Sequence, residues 1–382
     1  MQFSAAFGLA ALSLAALTLT ACGDVAPNSG SESAAKGPLA PCGVTIQELT
    51  QSASAEGALT LIATPRDWAN YASIIDAFEA DYGIRVDVVV PYATSAEELD
   101  FVSASAGEAG RPDVIDINPA FIQQALDQDL VTAYQPTTWS QIPDSLKDPQ
   151  GRWIGTYYGL LTIGANTAIV DMVPTTWKDL ADPRYRGQVV LNGDPRQSGT
   201  GFAAVVAAAL ANGGSFTDIT PGIDYFARLA QLGNLRVETI TPDAVASGDV
   251  PIMLDWAYNL TSARSTLQEQ GGDLAIHVPR DGIFSSYYAQ AITKDPEHPC
   301  AARLWMEHLL GDAAAIARLN GFAIPARFAS IDAYGLIPPA TQEILPSSRD
   351  IYALQFPSSN ELALMNAQLE QQWGDKVAAV LG

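Results

Sequence analysis

Basic side chains are scarce in this sequence: 20 Lys and Arg stand against 42 Asp and Glu, a formal charge of −22 over 382 residues. No basic patch is available to neutralise phosphates, which argues against a nucleic-acid partner. The same excess of negative charge favours cationic ligands through long-range attraction. Histidine is rarer still, limited to His277, His298 and His308. None of them makes an H-E-x-x-H pair, and the chain has neither a G-x-S-x-G elbow nor a G-x-x-x-x-G-K-[ST] loop. With no nucleophile set beside a base, a cell-surface hydrolase is a remote reading. The expectation is a chain that is not an enzyme and needs no cofactor.

Long apolar runs are equally few. One uncharged run passes through Phe7, Leu9, Leu12, Leu14, Leu17 and Leu19, with no Lys or Arg before it, and ends in Leu19-Thr20-Ala21-Cys22. It is too short to span a bilayer comfortably and suits the core of a signal peptide, residues 1–21. Small residues before a cysteine suit a lipoprotein cleavage site, so Cys22 is expected to carry a diacylglyceryl anchor. The Ser, Gly, Ala and Pro of residues 22–41 cannot bury a core and read as a flexible tether. The product is therefore expected to be exported and lipid-anchored at the outer face of a cell membrane or in the periplasm. Cysteine is the third scarcity. With Cys22 assigned to lipid, Cys42 and Cys300 remain, and in an oxidising compartment they are expected to form a disulfide.

From residue 42 to 382 the chain is long enough for two domains. Leu59–Ala63 is a short apolar run that suits a buried strand. Tyr71, Ile74, Ile75 and Phe78 recur at helical spacing until Gly83. Arg85–Val90 and Asp113–Ile117 read as further strands. Ser95 with Glu98 reads as a capping box, and Asn118 caps a turn that has Pro119 in its first position. A second series follows: a short helix capped by Thr176, a strand at Gln188–Leu191, and a helix from Ser198 through the alanine-rich stretch to Ala211. Helices starting at Thr220-Pro221 and Thr241-Pro242, and strands at Pro251–Leu254, Leu274–Val278 and Tyr287–Thr293, complete it. Strands alternating with helices imply mostly parallel sheets covered on both faces. The fold class is α/β, with two lobes, each a mostly parallel sheet flanked by helices, and hinge strands between them. One lobe is expected from residues 42–162 with 288–330 and the other from 163–287, with a helical region, 331–382, packing mainly on the second.

Several stretches resemble one family. Thr175-Thr176-Trp177-Lys178-Asp179-Leu180-Ala181-Asp182-Pro183-Arg184-Tyr185-Arg186-Gly187 is similar to the P-x-x-W-x-D-L-x-x-P-x-Y-x-G segment of bacterial extracellular solute-binding proteins. Asp194-Pro195-Arg196-Gln197-Ser198-Gly199-Thr200 follows at the spacing of that family. Ala289-Gln290-Ala291-Ile292, His298-Pro299-Cys300 and Gly321-Phe322-Ala323-Ile324-Pro325-Ala326-Arg327 resemble its return strand, the helix after it and its G-x-x-P-x-R turn. The resemblance covers roughly Leu59 to Phe328 and lies near the ferric-iron, polyamine and aminoalkylphosphonate receptors of ABC importers. It implies a type 2 periplasmic-binding-protein fold, a small solute held between two closing lobes, an ABC permease as partner, and a monomer.

The residues themselves suggest where the solute sits. Ser198-Gly199-Thr200 at a helix start offers unpaired N–H groups and hydroxyls, an anion seat or else a plain serine cap. Asp255-Trp256 at a strand end offers a carboxylate and an aromatic face for an ammonium group. In the ferric-iron binders two adjacent tyrosines stand at this point; here Ala257 precedes Tyr258, which weakens an iron site built on Tyr258. Asp67 and Trp68 follow the first strand and either face the ligand or serve as cap and packing. Asn118 is a weaker candidate. Of the pair Tyr287-Tyr288, neighbours on a strand point to opposite faces, so one of them lines the cleft, and Tyr287 is taken as the candidate. The expected solute is a polyamine or aminoalkylphosphonate, with ferric iron and a synergistic anion as the alternative and Tyr258 plus one of that tyrosine pair as its ligands.

Overall fold

The computed structural model describes residues 42–342, 348–352 and 354–382; the expected signal peptide, Cys22 and the tether lie outside the described residues. Among the described residues, eleven strands form one continuous sheet. On one side, β1 (Ala58–Ile62), β2 (Arg85–Val89) and β3 (Val114–Ile117) run parallel in the order β2-β1-β3. On the other, β6 (Val189–Asn192), β7 (Leu235–Glu238) and β8 (Ile252–Trp256) are parallel in the order β8-β6-β7. Two longer strands join these triplets. β5 (Ile154–Asn166) pairs antiparallel with β10 (Ser285–Thr293) along its first half and with β8 along its second. β10 in turn pairs antiparallel with β3, so β5 and β10 carry the chain between the two halves. The short strands β4 (Val131–Thr132), β9 (Leu274–His277) and β11 (Ile324–Pro325) add to β10 and β5. The two-lobed α/β arrangement expected from the sequence is therefore present, with the parallel triplets separated by antiparallel crossings.

Helices cover both faces because their apolar stripes need burial. In α1 (Ile46–Glu56) Thr45 and Glu48 make a reciprocal capping box. In α2 (Tyr71–Tyr82) Tyr71, Ile74, Ile75 and Phe78 are the buried residues, as the spacing requires, and Gly83 closes the helix with φ at 67°. α3 (Ser95–Ala104) departs from expectation by one residue: Thr94 and Glu97 make the capping box, not Ser95 and Glu98. The displaced pair turns inward. Ser95 Oγ accepts the backbone N–H of Asn118, and Glu98 Oε2 accepts that of Asp116. Thr94 satisfies the helix end, so Glu98 is free to serve the neighbouring strand.

After α4 (Ile122–Asp127), α5 (Gly199–Ala211) is buried from Gly199 to Ala209, which explains its small, apolar composition. Ser198 caps it, accepting from the N–H of Gly201. α6 (Thr220–Leu232) starts one residue earlier than expected, at Thr220 itself. The N–H of Thr220 is held by Asp218, and that of Ile219 by Gln368. Thr241 does cap α7 (Pro242–Ser247). α8 (Ala257–Glu269) follows β8 directly, and α9 (Pro299–Leu309) and α10 (Asp312–Asn320) return to the first half. The expected bond between Cys42 and Cys300 is present, with the Cα atoms 5.4 Å apart, and ties the start of the described chain to α9.

The C-terminal helix Ser359–Trp373 touches both halves. Its Asn366 donates to Ala120 O beside β3, while Gln368 donates to Thr217 O and accepts from Ile219 N beside α6.

Candidate functional site

The carboxyl ends of β1, β3, β6 and β8 point toward one another, which is where open α/β sheets place their ligands. Two adjoining cavities of about 60 and 50 Å3 occupy this place and share Trp68, Tyr92, Asn192 and Ile240 as walls. Asp67 and Asp255 line the first; Glu98, Asp116, Ser198, Gly199, Thr200 and Tyr288 line the second. Among the described residues lining the two cavities, there is no Lys, Arg or His. A larger cavity, about 780 Å3, opens on the opposite face of β5. Its walls are mainly apolar (Leu160, Phe216, Ile283 and Ile351 among them) and its one charge is Arg280, so it lacks the converging polar groups of a solute site.

Strand alternation decides which neighbours reach the site. Asp255 points to the cavity, with Oδ2 accepting from Asn192 Nδ2 and Oδ1 from Asn259 Nδ2 and the Trp256 N–H. Trp256, one residue on, is fully buried behind it, its Nε1 donating to Thr200 Oγ1 at 3.1 Å. Trp256 thus orders the start of α5 and offers no face to the cavities, contrary to the cation–π role expected for it. Tyr258 is also fully buried, packed against Trp68, Tyr157 and Trp256, and its hydroxyl has no hydrogen-bond partner. Gly159 makes room for it: a Cβ there would lie 2.4 Å from the Tyr258 ring.

Tyr287 is a correction. Its ring stacks on Trp153 and meets Phe356 on the rear face, away from the cavities. Tyr288 is the one that lines the cleft, with its hydroxyl 3.4 Å from Thr200 Oγ1 and its ring edge-on to Trp68. The period of two foretold that only one of the pair would do so, but it carries no information about which.

The helix start at Ser198 is placed as expected, but its hydroxyls are already engaged. Ser198 Oγ donates to Asn192 O while capping Gly201, and Thr200 Oγ1 is held by Trp256. What remains for a ligand is the first-turn N–H groups. Asn118 stands against this turn; a Cβ on Gly199 would fall 2.3 Å from Asn118 Cβ, so the approach requires glycine. Asn118 Oδ1 accepts from Ala120 N, whereas its Nδ2 is buried without an acceptor, and Trp68 Nε1 is likewise unpaired.

Asp116, which the sequence reading did not single out, and Glu98, which it took for part of a cap, dominate the electrostatics. Asp116 is almost fully buried, and desolvation raises its carboxyl to about 6 against the opposing pull of Arg318 and the hydroxyls of Tyr71 and Tyr157. Burial pushes Glu98 well above the ordinary carboxylate range; the Asp116 N–H opposes this and the Asp116 charge adds to it. Asp255 is raised to about 6 by burial, opposed by its three hydrogen-bond donors. Burial likewise raises the Tyr258 and Tyr288 hydroxyls above their usual value of 10.0, which disfavours a phenolate. The signal for Asp116 was present, as an acid inside the apolar strand Val114–Ile117. Only the fold shows what it faces.

Residues 110–345 match the bacterial extracellular solute-binding protein family. An uncharacterised protein of Haemophilus influenzae is 32% identical over 91 residues, an overlap of 22% of this chain and 26% of that protein, so the chain spans about a quarter of that relative's length. Among solved structures, the periplasmic binding protein AfuA of Actinobacillus pleuropneumoniae, with fructose-6-phosphate bound, is 20% identical with a TM-score of 0.63, covering 84% of this chain and 98% of that one. A periplasmic thiamin-binding protein is 15% identical with a TM-score of 0.64, covering 85% of this chain and 96% of its own. A putative spermidine/putrescine ABC transporter protein of Listeria monocytogenes is 15% identical with a TM-score of 0.59, covering 82% of this chain and 98% of its own. At these identities the structures speak for the fold, while the match over more than half of the sequence speaks for the family: this chain belongs to the bacterial extracellular solute-binding proteins.

Proposed function

We propose that this protein is the solute receptor of an ABC importer and that it captures a slender, amine-bearing cation of the polyamine type between its two lobes. One observation carries the choice of charge: Asp67, Glu98, Asp116 and Asp255 line the two cavities and no Lys or Arg does. Asp67 is exposed and Asp255 has both oxygens engaged, but Asp116 is buried with Oδ1 unpartnered, and a bound ammonium group would offset the cost of that charge. Trp68 and Tyr288 supply aromatic walls, which suit the methylene chain and the ammonium heads of such a solute. The Ser198–Thr200 turn has no cation to help it, so an aminoalkylphosphonate is the less favoured form of the same idea. The lobes would close about β5 and β10, and a lipid on Cys22 with a tether of about twenty residues, at about 5–6 Å × √n, would hold the receptor within a few nanometres of its membrane and so raise its effective concentration near a permease there.

The test is a thermal-shift and calorimetric titration of the purified chain with putrescine, spermidine, 2-aminoethylphosphonate and ferric citrate. Putrescine or spermidine at 100-fold above Kd should stabilise the protein by about 2.7 kcal/mol. A response to the phosphonate alone would shift the assignment to the anion seat. A visible tyrosinate band with iron and no amine response would replace the amine reading with a Tyr258 and Tyr288 iron site.

A further inference from the structure

Two buried aspartates reach the cleft at the ends of facing strands, and their oxygens are not equally occupied. Asp255 accepts three hydrogen bonds, from Asn192 Nδ2, Asn259 Nδ2 and the Trp256 N–H, and both of its oxygens are engaged. Asp116 accepts two, both on Oδ2, from Tyr71 OH at 2.8 Å and Tyr157 OH at 3.2 Å. Its Oδ1 is buried with no partner. An ionised carboxylate has about four acceptor sites, and a further donor near Asp116, the Gln290 side-chain amide, already gives a hydrogen to Tyr71 OH, so Oδ1 keeps acceptor capacity that no hydrogen bond of the fold takes up.

The Oδ2 side is held by a one-way relay. Trp305 Nε1 donates to Gln290 Oε1, Gln290 Nε2 donates to Tyr71 OH, and Tyr71 donates to Asp116. Arg318 from α10 lies over the rings of Tyr71 and Tyr157, 3.8 and 4.2 Å from their centres. Its Nη1 is taken by Ala69 O. The guanidinium therefore stiffens the two tyrosines that aim Asp116; it makes no ion pair with the carboxylate, but its charge favours the ionised form from a distance. Glu98, on α3, holds the Asp116 backbone N–H and adds a second acidic group to the same cavity.

Resting on the amine reading above, we infer that Asp116 Oδ1 is the principal anchor for the ammonium head of the solute, with Tyr71 and Tyr157 as positioning residues and Asp255 as a fixed structural carboxylate. An ammonium brings only donors and fits the vacant acceptor; a hydroxyl or an anion serves it less well. The charged and titratable groups facing Asp116 are Glu98 from α3, Tyr71 from α2, Tyr157 from β5, Tyr258 from α8, Tyr288 from β10 and Arg318 from α10.

The experiment titrates the purified wild-type chain, Asp116→Asn and Tyr157→Phe with putrescine from pH 5 to 8. Asp116→Asn keeps the shape and both tyrosine contacts, and should weaken putrescine by about 100-fold or more while its circular dichroism stays that of wild type. Tyr157→Phe keeps the charge and removes one donor, so the midpoint of the acid loss of affinity should move to higher pH. Equal affinity in wild type and Asp116→Asn would overturn the inference while leaving the amine reading intact, as would an acid midpoint unmoved by Tyr157→Phe if Asp116→Asn fails to fold. A wild-type chain indifferent to every amine would overturn both.

Discussion

Replacing Asp116 by asparagine should stabilise the solute-free protein at pH 8 even as it removes the proposed anchor. The carboxyl stands at 3.8 in its ordinary state and about 6 in the fold. Two units correspond to about 3 kcal/mol of preference for the protonated form. Because the folded value is raised, folding favours the neutral acid: its contribution is full below about pH 4 and is lost as pH rises through 6. At pH 8 the ionised, half-satisfied carboxylate therefore opposes folding by about 3 kcal/mol in the absence of solute. Asparagine carries no charge, its carbonyl can accept from Tyr71 and Tyr157, and its amide takes the place of the unpartnered Oδ1 at a cost of about 1 kcal/mol. The net gain is about 2 kcal/mol. With an unfolding entropy near 0.7 kcal/mol/K for a chain of this length, the melting temperature should rise by about 3 °C. Glu98 loses the neighbouring charge that helps to raise it, which acts in the same direction. Thermal and urea melts of wild type and variant from pH 4 to 8, without solute, give the answer directly. Asp255, also raised to about 6, is present in both proteins and largely cancels in the difference. The gap between the two should open across pH 4 to 6.5. A gap that is constant with pH, or a variant less stable at pH 8, would refute the reasoning.

Cys42 and Cys300 close a loop of 258 residues. Loop-closure entropy gives about 5.5 kcal/mol as the upper figure for their bond, so a Cys42→Ala, Cys300→Ala chain should melt roughly 5–8 °C lower; an unchanged melt would show that the crosslink does not constrain the unfolded chain. Gly199→Ala puts a Cβ 2.3 Å from that of Asn118, and should cost about 1–3 kcal/mol and weaken putrescine binding by displacing the first turn of α5. A variant that melts and binds as wild type does would mean that this turn yields freely.

The element order was legible because each element carries its own local signal. β-branched and apolar runs marked β1, β2, β6, β8 and β10, and the i, i+3, i+4, i+7 stripe marked α2. Family motifs supplied what periodicity could not, the pairing of two lobes across shared strands. Local signals failed where two neighbouring residues competed for one role. Thr94 and Ser95 are both good caps, and the choice between them depended on Ser95 being needed by Asn118. Tyr287 and Tyr288 are identical in sequence terms, and the choice between them depended on which face of β10 meets Thr200 and which meets Trp153.

The sequence by itself determined the charge of the molecule, its α/β order, the helix start at Ser198, the partnership of its two remaining cysteines and the strand end that presents Asp255. These follow from composition, period and capping chemistry, which act within a few residues. It did not determine which acids stand unpaired. Asp116 and Asp255 look alike in sequence, each an acid in an apolar strand. Only the tertiary structure surrounds one with Asn192, Asn259 and its neighbour's N–H and leaves the other with an empty oxygen at the cleft. Two of the Asp255 donors are local, the Trp256 N–H and Asn259 in the first turn of α8, whereas Asn192 and the tyrosines that serve Asp116 come from distant parts of the chain, and how many such donors arrive within about 3 Å is settled by the fold.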